Sequence, residues 1–322
     1  MPAAKQGSAR MESPGLAHWD AATRHARIPD AALADMRAQP GFAQAARTAA
    51  RRSLELFDSD PVMMRALKDV GRAVLGLMAL YLDAKGGMTL SRLQALLTEM
   101  GLTSPGRAAA ILIQLRLIGY VAPAPVQPNR RVRVYLPTPR MRATFQAHLY
   151  KDLEALSAIE PEAEDALARF GDAAVFNPFI LRFGQGLIDA ARVHRRGAAG
   201  LDLFSQRNAG LTILTELILA GDAADDFPPR GPIRFSVAGL ARRHGVSRPH
   251  VLKLLRDAEK AGLLTRDAEE VRGFLTPLLR DHVANYYATT FIGMAACALS
   301  ALQATAPRRA AMSETARSAP PN

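Results

Sequence analysis

Six lysines and arginines stand between Ser236 and Gly262 against two acids, crowding a segment that reads Gly-Val-Ser-Arg-Pro-His-Val-Leu-Lys from Gly245 to Lys253. Guanidinium and ammonium groups at this density suit phosphate, and the arginine fork matches the paired acceptors on a guanine edge. Val251, Leu254, Leu255 and Ala258 recur at helical spacing and turn inward, so a helix opening at Ser247 would offer Ser247, Arg248, His250 and Lys253 to a partner. Arg242 and Arg243, just ahead of the turn, extend the basic surface. Arg248 is the candidate for base contact. His250 suits a phosphate or backbone contact better than proton sensing.

The same pattern occurs earlier in the chain. Ser91 to Val121 and Ser236 to Leu264 superimpose when aligned backwards from Gly119 and Gly262, a constant offset of 143 residues (262 − 119) across the second helix. Ser104 meets Ser247, Ile111 meets Leu254 and Leu112 meets Leu255. Each copy spells a short apolar helix, a turn at Gly101 or Gly245 where φ can be positive, and a second helix capped by Ser104 or Ser247. A glycine, a β-prone pair (Tyr120-Val121, Leu263-Leu264) and a returning strand (Arg131 to Leu136, Val271 to Leu275) follow, which predicts a hairpin. In the first copy Ser104 and Arg107 are the polar candidates, while Ile113 and Leu117 put apolar groups on a side that the second copy keeps polar. Arg130, Arg131 and Arg133 alternate with Val132 and Val134, so the hairpin is expected to project charge from one strand face. The second hairpin is acidic at its tip, Asp267 to Glu270, and should avoid phosphate.

The stretch from Gly245 to Leu264 resembles the recognition segment of GntR-type winged-helix regulators. The first copy, with its Gly-Leu-Thr-Ser turn and its Gly-Tyr-Val lead into an arginine-rich strand, resembles MarR-type units. Leu252 departs from the pattern, since GntR-type proteins usually carry a basic residue there. The resemblance implies tandem winged helix-turn-helix units, a recognition helix in the major groove of double-stranded DNA, and a homodimer gripping two half-sites. Transcriptional regulation is the expected role. Plasmid-type replication initiators share this tandem form, and a winged-helix adaptor that holds protein partners is the other alternative.

Composition frames these units. Abundant alanine with aromatics at 6% predicts mainly α structure with small β wings, and 322 residues suffice for two domains. A net charge of +11 draws the chain toward a polyanion. The expected organisation is a disordered N-terminus over 1–29, helices and the first winged unit over 30–139, a helical connector over 140–200, the second winged unit over 201–280, a C-terminal helix over 281–306 and a disordered tail over 307–322. Asp60-Pro61 should open a helix, and the connector should break at Pro161, Asn177-Pro178 and Gly197. Its acids, Glu160, Glu162, Glu164 and Asp165, predict a solvated face.

Ala284 to Ala306 is free of charge but rich in alanine and threonine, with Phe291, Met294, Ala298, Leu299 and Leu302 on one stripe, so a packed helix is expected rather than a membrane anchor. Because Val246, Leu254, Leu255 and Phe274 already supply the second unit's core, that stripe is expected to pair with a second copy or dock on the connector. The single cysteine, Cys297, and an N-terminus without an apolar run predict a cytoplasmic protein. No cofactor or metal is expected, for no CxxC or HExxH spacing occurs. Catalysis is not expected either, because Gly184-Gln185-Gly186 lacks the preceding strand of a dinucleotide site.

Overall fold

A computed structural model describes residues 13–25, 27–59, 70–102, 104–126, 132–194, 201–267 and 272–317. Over these residues the chain is mainly helical with two small antiparallel sheets. Helices α1 (Leu16–Ala22), α2 (Asp30–Ala38) and α3 (Phe42–Ser59) come first, with Gly41 at φ 85° turning the chain between the last two. The helix start expected at Asp60-Pro61 lies outside the described residues. The first repeat then runs α4 (Val70–Ala84), β1 (Met88–Thr89), α5 (Leu90–Glu99), α6 (Pro105–Leu117), β2 (Val121–Pro123), β3 (Val134–Pro137) and α7 (Pro139–Ser157). The connector continues through a single 3-10 turn (Pro161–Ala163), α8 (Glu164–Ala168) and α9 (Ala173–His194). A short α10 (Asp202–Ser205) leads into the second repeat: α11 (Gly210–Leu219), β4 (Ile233–Arg234), α12 (Val237–Arg243), α13 (Arg248–Lys260), β5 (Leu264–Asp267), β6 (Arg272–Leu275) and α14 (Pro277–Arg317).

The repeat is longer than the motif that betrays it. Both sheets place the last strand in the middle, in the orders β1-β3-β2 and β4-β6-β5, so each repeat gains a strand ahead of its first short helix. After the middle strand each copy uses the same cap. The Thr138 hydroxyl donates to the Gly119 carbonyl at 2.8 Å and the Thr276 hydroxyl donates to the Gly262 carbonyl at 2.8 Å. Each threonine oxygen then accepts from the amide three residues on, at 3.3 Å in both copies, and a proline opens the next helix. This Thr-Pro device ties the hairpin to the turn after the second helix. It fixes where α7 and α14 depart.

Helix α14 is the spine of the molecule. Phe291, Met294, Ala295, Ala298 and Ala301 are buried, and the helix lies against α9, α1, α2, α7 and α8 of its own chain. Pro277–Ala306 is long and apolar enough to cross a bilayer, yet 56% of its most apolar window is buried within the protein. The stripe expected to pair with a second copy or dock on the connector lies largely against α9 of the connector and α1 within the chain. Cys297 lies in the same contact, where burial pushes its thiol up to about 12.

Several sequence-based expectations are corrected. Residues 1–29 contain α1, whose Trp19 is fully buried and donates its indole N–H to Glu160 Oε1 at 2.6 Å. Glu160 is buried too and accepts from the Ser13 hydroxyl, while Glu162 accepts from the Leu16 amide at 2.9 Å. The acidic connector is thus partly a socket for the positive end of α1, not wholly a solvated face. The tail expected to be disordered carries α14 on through Arg317, over a stretch rich in the strong helix formers alanine, methionine and arginine. Helix α9 does not break at Pro178. Its first turn is anchored by Asp172, which accepts from the Ala174 amide at 2.8 Å, and the burial of Phe176, Phe179 and Ile180 outweighs the one bond that proline forfeits. The break expected at Gly197 lies outside the described residues. Phe274 is 43% exposed while Leu275 is buried, so β6 faces the core one residue out of the expected phase.

The socket and the spine have measurable consequences. Trp19→Ala should destabilise the chain by about 3–5 kcal/mol in denaturant unfolding, as large-to-small core changes do, whereas a disordered N-terminus would make it neutral. Cys297 should resist a thiol reagent in the native protein and react only on unfolding; rapid native labelling would show that α14 is not packed as described.

Candidate nucleic-acid interface

The second repeat presents α13 through a turn dictated by local chemistry. Gly245 takes φ 61°, Val246 packs partly inside, and the Val246 amide donates to the Ala241 carbonyl at 3.0 Å. Ser247 then caps α13, its hydroxyl accepting from the His250 amide at 3.3 Å. Val251, Leu254, Leu255 and Ala258 are buried, as their spacing requires. The opposite side is exposed and basic. Ser247, Arg248 and Lys253 lie on it as the sequence predicts, joined by Arg256 and Lys260.

Arg256 and Lys260 escape the motif-based reading, which stops at Lys253. The signal was available in the periodicity, because 253, 256 and 260 share one helix face at i, i+3 and i+7. Both acids of α13 are countered from outside it. Asp257 receives Arg207 at 2.8 Å and Lys253 at 3.2 Å. Glu259 is held by Arg266 of β5, whose hydrogen bond keeps the carboxyl below its ordinary range despite partial burial.

Not every candidate side chain faces outward. His250 Nε2 lies 2.9 Å from the Asn208 carbonyl, and since a carbonyl only accepts, the proton sits on Nε2 and the ring braces the helix. Arg242 is exposed, but Arg243 turns to Asp58 at 2.7 Å and Glu216 at 3.7 Å. It sits over a junction in which the buried His244 meets Glu216 at 2.7 Å and Phe57 at 5.1 Å between ring centroids. Arg243 thus fastens α12 to α3. Its partners lie 27 and 185 residues away (243 − 216, 243 − 58), so local pattern could not reveal them.

The first repeat has the same frame and a different face. Gly101 takes φ 69°, Ser104 caps α6, and Arg107 is exposed on the first turn. Ala110, Ile113 and Leu117 occupy the positions 143 residues before Lys253, Arg256 and Lys260. Ile113 is 55% and Leu117 82% exposed, so the outward side is apolar where its counterpart is basic. Arg116 lies over the Tyr135 ring at 5.6 Å. Arg133 is exposed ahead of β3, while Arg130 and Arg131 lie outside the described residues. Tyr135 is the buried side chain of β3 and Leu136 points out, so the expected charge-bearing strand face does not extend into the paired strand.

Gly184, part of the glycine pair that could suggest a nucleotide loop, lies within α9, where an added Cβ would collide with the Tyr81 ring of α4. The glycine serves close helix contact. Among the described residues no group of three or more histidines, cysteines or acids is gathered as a metal would need. Comparison with models of protein families, with characterised proteins and with solved structures finds no match.

The two faces make a simple stability test. Leu117→Lys should change unfolding free energy by no more than about 0.5 kcal/mol, the usual bound for exposed sites. Leu254→Ala on the buried side of α13 should cost about 2–5 kcal/mol. A large loss at Leu117 would mean that its side chain is covered.

Proposed function

We propose that each repeat is a winged helix-turn-helix unit and that the chain binds double-stranded DNA with sequence preference, as a transcriptional regulator, through α13. The observation that carries this reading is the exposed stripe of Arg248, Lys253, Arg256 and Lys260 on a helix whose own acids are both paired with arginines. A helix of this width fits the major groove, where cations supply affinity by displacing condensed counterions and an arginine at the first turn reads base edges. Arg248, at the first position of α13, is the base-reading residue, while Lys253, Arg256 and Lys260 meet phosphate. Arg242 adds a contact from the preceding helix.

The first unit takes a separate part in this reading. Its second helix offers Ile113 and Leu117, which cannot satisfy phosphate, so α6 does not read the groove as α13 does. The exposed apolar pair favours the adaptor role for this half of the molecule alone. Arg107 and Arg133 remain available at its edges for flanking phosphates.

Binding to duplex DNA, followed by fluorescence anisotropy, should weaken as salt rises, with a log-log slope of roughly 0.9 per phosphate contacted. Arg248→Ala should cost about 1–3 kcal/mol on the preferred site and flatten the difference between sites, whereas Arg256→Ala should weaken all sequences alike and lower the slope by about one. Salt-independent binding would contradict the reading. Equal, uniform losses for both substitutions would remove Arg248 from base contact.

A further inference from the structure

The segment that precedes α11 is built with unusual care. Ala209 adopts a left-handed backbone at φ 57°, a conformation that residues bearing a Cβ rarely take. Gly210 follows it, where an added Cβ would run into the Phe204 carbonyl. Such a turn persists when its surroundings hold it, and here both preceding residues grip α13. The Asn208 carbonyl accepts from His250 Nε2 at 2.9 Å. The Arg207 guanidinium donates to Asp257 at 2.8 Å. The two contacts lie seven positions apart on α13 (257 − 250), on one flank of the basic face.

Asp257 has a second cation, Lys253, one helical turn before it at 3.2 Å. A carboxylate shared by two cations binds each less firmly than it would bind one, and the trio keeps a net positive charge. Without Arg207, Lys253 and Asp257 would close into a neutral pair beside the face that meets DNA. The Lys253 side chain is 64% exposed, so it has the freedom to leave Asp257 for a phosphate once that acid is held by another group.

Building on the proposed role of α13, we infer that Arg207 is a positioning residue for nucleic-acid binding. It occupies Asp257 so that Lys253 is released to phosphate, and the Arg207-Asn208-Ala209 turn, through His250, sets the first turn of α13 from which Arg248 is presented. Arg207 acts through Asp257 and needs no DNA contact of its own.

The test uses the full chain and a labelled duplex of about 30 base pairs of mixed sequence, titrated over a range of salt, with thermal melting in parallel. Arg207→Ala should weaken binding about three- to tenfold and lower the log-log slope by about one, the loss of one phosphate contact. The double variant Arg207→Ala/Asp257→Asn should recover the lost affinity and slope and bind as Asp257→Asn alone does, because the acid that captures Lys253 is gone. Asp257→Asn alone should bind about two- to fivefold more tightly than the wild type, which keeps the inference testable if Arg207→Ala fails to fold. Unchanged affinity in Arg207→Ala, a loss that Asp257→Asn does not restore, or no tightening in Asp257→Asn would each overturn it. Wild-type binding that ignores salt would instead defeat the reading of α13, and this inference with it.

Discussion

The long uncharged stretch of α14, Ala284 to Ala306, must be covered, and the arrangement of the chain follows from how that need is met. Its apolar side chains are too many to leave in water, each large one being worth on the order of 1.5–3 kcal/mol when buried. The cover comes from α1, α2, α7, α8 and α9, all of which end before the second repeat begins. Because α14 also begins at the Thr276 cap of the second repeat, its burial fastens that repeat to the rest of the molecule. Arg37 reaching Asp281 at 2.6 Å and Arg243 reaching Asp58 at 2.7 Å add polar ties at the same seam. Both ties are partly exposed and worth little alone, so apolar contact carries the join.

On that frame two copies of one unit have taken different surfaces. The buried positions of α6 and α13 match, the capping serines match, and the turn glycines share the same backbone conformation. The buried residues stay apolar in both copies, and the change of character lies on the outward side, where packing imposes little choice. Ala110, Ile113 and Leu117 against Lys253, Arg256 and Lys260 is a change of surface chemistry with no change of scaffold. The second copy also surrounds its helix with counter-charges. Arg207 and Arg266 hold Asp257 and Glu259, so the acids do not oppose the basic stripe.

How much of this was legible in the sequence depended on distance along the chain. The turns at Gly101 and Gly245, the caps at Ser104 and Ser247, and the inward positions of α13 follow from short-range stereochemistry, and they are where the periodicity places them. The mainly helical character with small sheets was equally readable. Contacts between remote residues were not. Trp19 and Glu160 are separated by 141 residues, so an alanine-rich N-terminus gave no sign of its socket, and Arg243 read as a surface cation although its partners lie on α11 and α3. The phase of β6 failed for another reason. A strand four residues long carries too little alternation to choose between Phe274 and Leu275, and pairing with β5 decides it. Pro178 shows tertiary burial overruling a local breaker.

The central claim is that nucleic acid meets the second unit along α13 and leaves α6 alone. Backbone hydrogen exchange measured with and without a mixed-sequence DNA duplex tests it most directly, since it reads every helix in one experiment. The account requires added protection at α13 and the turn before it, with α6 unchanged. Protection centred on Ile113 and Leu117, or no change along α13 under conditions where the duplex is bound, would contradict it.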